Sequence, residues 1–112
     1  MIKFFRKIQF TNDENRMKSI ANTKIAREMY YSSKSENVKF LLNKRFSWMN
    51  SFIKESDLGI EVGSGAGFSK EFIKNKNFKL TDLGDDDHLD FKNIDAQNTG
   101  FKDESYDYVI AS

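Results

Sequence analysis

The apolar positions of this chain change period partway along. Val38, Leu41, Leu42, Phe46, Met49 and Ile53 recur at three- and four-residue intervals, the spacing of one buried helix face. Ser35 is placed to cap that helix, which is predicted from about Glu36 to Ile53. Trp48 and Phe52 widen its stripe. A looser stripe of Met17, Ile20, Ile25, Met29 and Tyr30 predicts a helix from about Met17 to Tyr31, broken by the polar stretch 32–37. From Leu58 the period shortens. Ile60 and Val62 are β-branched and suit a buried strand. Phe78 and Leu80 alternate with Lys79 and Thr81, which predicts a second strand over Phe78–Asp82. Tyr108, Val109 and Ile110 predict a last strand within Tyr106–Ala111, and a short third strand is expected at Lys92–Asp95. Between the first two strands, Phe72 and Ile73 predict a short helix over Ser69–Asn75 with Lys70, Glu71 and Lys74 on its wet side. His88–Phe91 reads as one helical turn. Met1–Phe10 fits a short amphipathic helix or a flexible arm equally well, and Thr11–Arg16, Gly84–Asp87 and Gln97–Ser105 read as loops.

A length of 112 residues allows one domain. An apolar content of 38% fits a globular chain, and no apolar run approaches the roughly 18–20 residues of a membrane span. Lys3, Arg6 and Lys7 interrupt the first ten residues, so they lack the apolar centre of a secretory leader. Cysteine is absent, which excludes disulfides and thiolate metal sites and suits a cytoplasmic location. The net charge of +1 hides an asymmetry. Residues 1–55 carry 12 Lys+Arg against 5 Asp+Glu, a net of +7, and residues 56–112 carry 6 Lys against 12 Asp+Glu, a net of −6. A basic first half attracts nucleic acid or an anionic substrate. Solvated faces of amphipathic helices explain the same charge, as does attraction between the halves.

The stretch around which the chain is organised is Leu58–Phe68, where Gly63, Gly65 and Gly67 follow the first strand at once and precede a helix. Strand, glycine loop and helix in that order bring bare backbone close to a nucleotide-like ligand. A tight turn with no ligand is the bland alternative. Asp82 lies 19 residues beyond Gly63, at the tip of the next strand. A carboxylate there can accept hydrogen bonds from both hydroxyls of a ribose; a turn or capping aspartate is the alternative. Asp85, Asp86 and Asp87 read as a solvated acidic loop, because consecutive carboxylates point apart and lack the alternate spacing of a calcium loop. No metal site is expected. His88, the one histidine, is either a general base or a solvated loop residue, the latter being the commoner case. Tyr30, Tyr31 and Trp48 suit either a substrate pocket or a core.

Four stretches together resemble the class I S-adenosylmethionine-dependent methyltransferases. Glu61-Val-Gly63-Ser-Gly65-Ala-Gly67 is similar to the first motif of that family, and Leu80-Thr-Asp82 to the end of its second strand. Ile94-Asp95-Ala96 followed by Phe101 resembles its Asp-Ala…Phe segment, and Ser105-Tyr-Asp107-Tyr-Val-Ile its fourth strand. The resemblance covers about Leu58–Ser112 and none of residues 1–55. It implies an α/β fold, a Rossmann-like, mostly parallel sheet with flanking helices, present here as its first four strands and preceded by N-terminal helices. Residues 1–55 are then a helical extension and residues 56–112 the front half of a longer domain, cut after a strand that should be central.

The resemblance also implies S-adenosyl-L-methionine as cofactor, held by Glu61, Gly63, Ser64, Gly65, Gly67, Asp82, Leu83, Asp95 and Ala96. Gly63 and Gly65 would floor the site, Asp95 and Ala96 would meet the adenine edge, and Asp107 would be structural. Glu61 would order the loop or the cofactor's ammonium; a carboxylate capping loop amides is the alternative. The expected activity is methyl transfer to an unidentified acceptor, a small molecule being favoured over RNA, with no catalytic side chain named. Two other classes remain open. A nicotinamide or flavin dinucleotide domain needs a third glycine at 68 or 70, where Phe68 and Lys70 stand. An inactive, truncated interaction module is the other.

Overall fold

The computed structural model describes residues 23–31 and 36–111. The expectations for Met1–Phe10, for residues 11–22 and for the Ser35 cap lie outside the described residues. Residues 23–31 are helical and are called α1. The remaining elements are α2 (Glu36–Asn50), β1 (Gly59–Glu61), α3 (Ser69–Phe72), β2 (Phe78–Leu80) and β3 (Tyr108–Ile110). The strands form one open, all-parallel sheet in the order β2-β1-β3. The chain is therefore a small α/β protein.

The register explains the core. Gly59 lies opposite Phe78 and Tyr108, Ile60 opposite Lys79 and Val109, and Glu61 opposite Leu80 and Ile110. Successive strand residues face opposite sides of a sheet, so the first and third rows share one face. That face meets α2 and α3, where Phe46, Ile73, Phe78, Leu80, Leu89 and Ile110 form the buried cluster. Gly59 lets two rings share its row. The Phe78 and Tyr108 rings lie nearly parallel at 6.1 Å, and a Cβ on Gly59 would stand 1.9 Å from Tyr108 Cζ. On the opposite face Val109 is exposed, and Ile60, Val62, Phe101, Tyr106 and Val109 line a hollow of about 340 Å³.

Three predicted elements come out differently. No strand forms at Lys92–Asp95. The carboxylate of Asp90 accepts the Leu80 N–H at 2.8 Å, the backbone amides of Asp90 and Phe91 donate to the Leu80 carbonyl, and Asn93 turns to a φ of 56°. A left-handed residue ends an extended run. What remains is a single parallel bridge between Thr81 and Phe91. The helical turn expected at His88–Phe91 does not form: a turn closed by the Leu89 amide on Asp86 O at 3.1 Å comes earlier, and Phe91 is in a bridge. Finally, α3 stops at Phe72 because Ile73 is extended, with a ψ of 119°.

The stripe on α2 is only half buried. Phe46 is buried and Leu42, Met49 and Ile53 pack beside it, but Val38, Leu41, Trp48 and Phe52 are exposed. Trp48 and Phe52 meet each other edge to face instead. For Val38 and Leu41, in the first turns of the helix, the reason is length. Fifteen helical residues run about 22 Å, whereas a three-residue strand runs about 10 Å. Part of the helix therefore has no sheet beneath it. Asn50 fastens its last turn, donating to Phe72 O at 2.8 Å and accepting from the Lys74 amide at 3.0 Å.

Candidate functional site

The glycine loop runs off β1 at the end of the sheet where strand carboxyl termini gather, the edge at which open parallel sheets take ligands. Its backbone is stitched to the end of β2. The Ser64 amide donates to Thr81 O at 2.8 Å, the Thr81 amide donates to Ser64 Oγ at 3.1 Å, and the buried Thr81 hydroxyl donates to Glu61 O at 2.7 Å. A tight turn closes the loop through the Gly67 amide and Ser64 O at 2.8 Å. Gly63 and Gly65 adopt φ of 66° and 52°, where side-chain-bearing residues are strained. A Cβ on either would meet nothing within 4 Å. The shelf above them is open. Among the described residues the amides of Gly63, Gly65 and Ala66 have no hydrogen-bond partner, so they are available donors.

The predicted site residues sort unequally around this shelf. Asp82 follows Thr81 directly; its carbonyl accepts the Ile94 amide at 2.8 Å, and its half-buried carboxylate has no partner among the described residues. Leu83 beside it is exposed. The path Ser64–Thr81 and Asp82–Ile94 carries the backbone from the glycine loop to the threshold of Asp95. Asp95 is exposed, and its Oδ1 accepts the Gln97 amide at 2.9 Å, closing a local turn. Ala96 is exposed and lines the hollow with Val62 and Phe101. Glu61 is buried, and its Oε2 accepts the hydroxyl of Ser69, the first residue of α3. The carboxylate thus ties the strand to the helix, and it lines a cleft of about 90 Å³ with Arg45, Ser64 and Ser69. Asp107 is structural: its Oδ2 takes the Leu58 amide at 2.8 Å and its own amide donates to Leu58 O at 2.7 Å.

The acidic loop is not uniformly solvated. Asp85 and Asp87 are exposed, but Asp86 is buried and its Oδ2 has no partner among the described residues. Asp87 meets Lys92 at 3.1 Å, and the hydrogen bond and charge of that ammonium hold its carboxyl below the usual range. His88 is not the solvated residue that a polar loop predicts. It is half-buried, its Nε2 lies 2.7 Å from Gly65 O, and its Cδ2 would lie 2.7 Å from a Cβ on Gly67. A carbonyl oxygen can only accept, so Nε2 carries the proton.

Helix α1 reaches the same loop from the other direction. Arg27 donates to Ala66 O. The buried Tyr30 ring stacks on Phe68 at 4.1 Å, and the Tyr30 and Tyr31 hydroxyls donate to the two oxygens of Glu71 at 3.2 and 2.5 Å. Burial first, and then the Glu71 charge, push the Tyr30 hydroxyl up to about 12; the bond to Glu71 chiefly raises Tyr31. Arg27, Phe68 and Glu71 carried no signal in the sequence, because their roles depend on a helix that docks from 39 to 41 residues away. The adjacent tyrosines ending a loose stripe were the nearest hint.

Fold and site together define a small α/β protein with an open glycine shelf at the carboxyl edge of a parallel sheet. No family model matches this chain, and neither a curated protein nor a solved structure does.

Proposed function

We propose that this chain is the cofactor-binding part of an S-adenosylmethionine-dependent methyltransferase, built on the first strands of a Rossmann-like sheet. The observation that carries the reading is the open shelf at Gly63 and Gly65 lying beside the unpartnered Asp82 carboxylate. The donor set suits an adenosine. Free amides at 63, 65 and 66 are hydrogen-bond donors, and Asp82 offers two acceptor oxygens to a ribose diol. Asp95 and Ala96 stand next along the same edge for the adenine, with Asp95 keeping one oxygen outside its turn bond. Bound there, the cofactor supplies a methyl group already activated by its sulfonium. The protein's part is alignment and exclusion of water, so no acid or base need be named. The acceptor favoured is a small molecule, and the cysteine-free chain suits the cytoplasm. The order β2-β1-β3 with the Thr81–Phe91 bridge outside β2 suits the same sheet.

Titration calorimetry with S-adenosylmethionine, S-adenosylhomocysteine and NAD tests the proposal. Saturable binding of the first two is expected. Binding of NAD alone would transfer the shelf to a dinucleotide domain, and binding of none would leave an interaction module.

A further inference from the structure

The geometry points to His88 as the positioning residue of the shelf, a clamp on the Gly65 carbonyl that sets the direction of the Ala66 amide. The inference rests on the reading of the shelf as an adenosine site and adds to it the group that holds its donors in place. A trans peptide holds its C=O and N–H on opposite sides of one rigid plane, and no peptide among the described residues is cis. Fixing the Gly65 oxygen therefore fixes the Ala66 N–H, which faces away from His88 and has no partner of its own. The next plane is fixed as well, by Arg27 on Ala66 O and by Ser64 O on the Gly67 amide. Without the imidazole, the 65–66 plane is the one free to rotate, because Gly65 on one side carries no Cβ to restrict its ψ. The same ring bounds the shelf. Space is open above Gly63 and Gly65 and filled by His88 above Gly67, so a ligand lies over the first two glycines only. Pre-set donors raise affinity by removing the cost of ordering them on binding.

The test uses the full chain with His88→Ala, His88→Gln and His88→Asn. Glutamine carries an N–H about where Nε2 stands and asparagine does not, so only the glutamine variant should rescue. Amide hydrogen exchange without ligand at Ser64 and Gly67, the hydrogen-bonded amides of the loop, is the first readout, and S-adenosylhomocysteine affinity is the second. His88→Ala and His88→Asn are expected to lose about three- to tenfold in both, the ratio that one net hydrogen bond supports, with His88→Gln close to wild type. Nitrogen NMR of wild type should find the proton on Nε2. Equal loop exchange in all three variants, or an Nε2 without a proton, overturns the clamp. If wild type takes no S-adenosylhomocysteine while loop exchange still follows the series, the adenosine reading fails and the clamp on the loop stands.

Discussion

A Cβ on Gly59 would stand 1.9 Å from Tyr108 Cζ and 2.3 Å from its hydroxyl oxygen, so the ring, not the backbone, makes glycine necessary there. Gly59→Ala is expected to cost about 1–3 kcal/mol, the range for overfilling a packed core; urea unfolding measures it, and a change within experimental scatter would mean that the ring swings aside freely. Asp82 shows the opposite situation, a side chain without a partner in the described protein and with one expected from a ligand. Asp82→Ala should weaken S-adenosylhomocysteine binding by about 1–3 kcal/mol, the scale for buried polar groups left unpaired, while leaving the melting temperature nearly unchanged. Unaltered affinity in calorimetry would remove Asp82 from the site. Both residues stood in the sequence, but only Asp82 could be singled out there. Its place at a strand tip follows from spacing, whereas the demand on Gly59 comes from a ring 49 residues away.

At the scale of elements, Asn75 joins what the strands and helices leave apart. Its Nδ2 donates to Lys54 O, Glu55 O and Asp57 O at 3.0–3.1 Å, and its Oδ1 accepts the Tyr108 hydroxyl at 3.1 Å. One buried amide thus binds the turn into β1 to the first residue of β3. Asn75→Ala should destabilise by about 2–3 kcal/mol, because several buried groups lose partners together; a loss below about 0.5 kcal/mol in urea unfolding would show that water replaces it without cost. In the sequence Asn75 read only as the close of a helix. Helix α2, β2 and β3 could be read from period because each presents apolar residues to one core; β1, whose Ile60 faces the other side, was legible from its β-branched residues ahead of the glycine run. The expected strand at 92–95 failed because Asp90 offers a carboxylate to the Leu80 amide. Side-chain competition for a ladder donor leaves no trace in hydropathy.

The whole molecule carries a consequence for alkaline pH. Burial first, and then the Asp57 charge, push the Tyr108 hydroxyl up to about 12, and Tyr30 reaches about 12 through burial and Glu71. The ordinary value is 10.0. Both groups hold their protons more tightly folded than unfolded, so their contribution to stability is intact below about pH 10 and is lost as pH rises toward 12. Chemical denaturation from about pH 9 to 12 should show a falling midpoint in step with tyrosinate absorbance. A flat profile would mean that both hydroxyls are open to solvent. The two rings sit at separate places, Tyr30 where α1 meets the glycine loop and Tyr108 on the sheet, so the loss should involve helix docking as well as the core.

By itself the sequence determined the periods, the glycine run after the first strand and the acid at the tip of the second. Those follow from local rules, namely which residues suit a helix or strand and where bare backbone is placed. Tertiary structure alone decided that α2 overhangs a short sheet, that Glu61 is tied to Ser69, and that His88 and Arg27 seize successive carbonyls of the glycine loop. The His88 and Arg27 bonds are contacts between segments far apart in the chain, the overhang is a matter of relative length, and the Glu61–Ser69 bond spans eight residues but depends on how the glycine loop folds back. Hydrogen bonds of that kind are set by how elements stack, and spacing along the chain does not encode them.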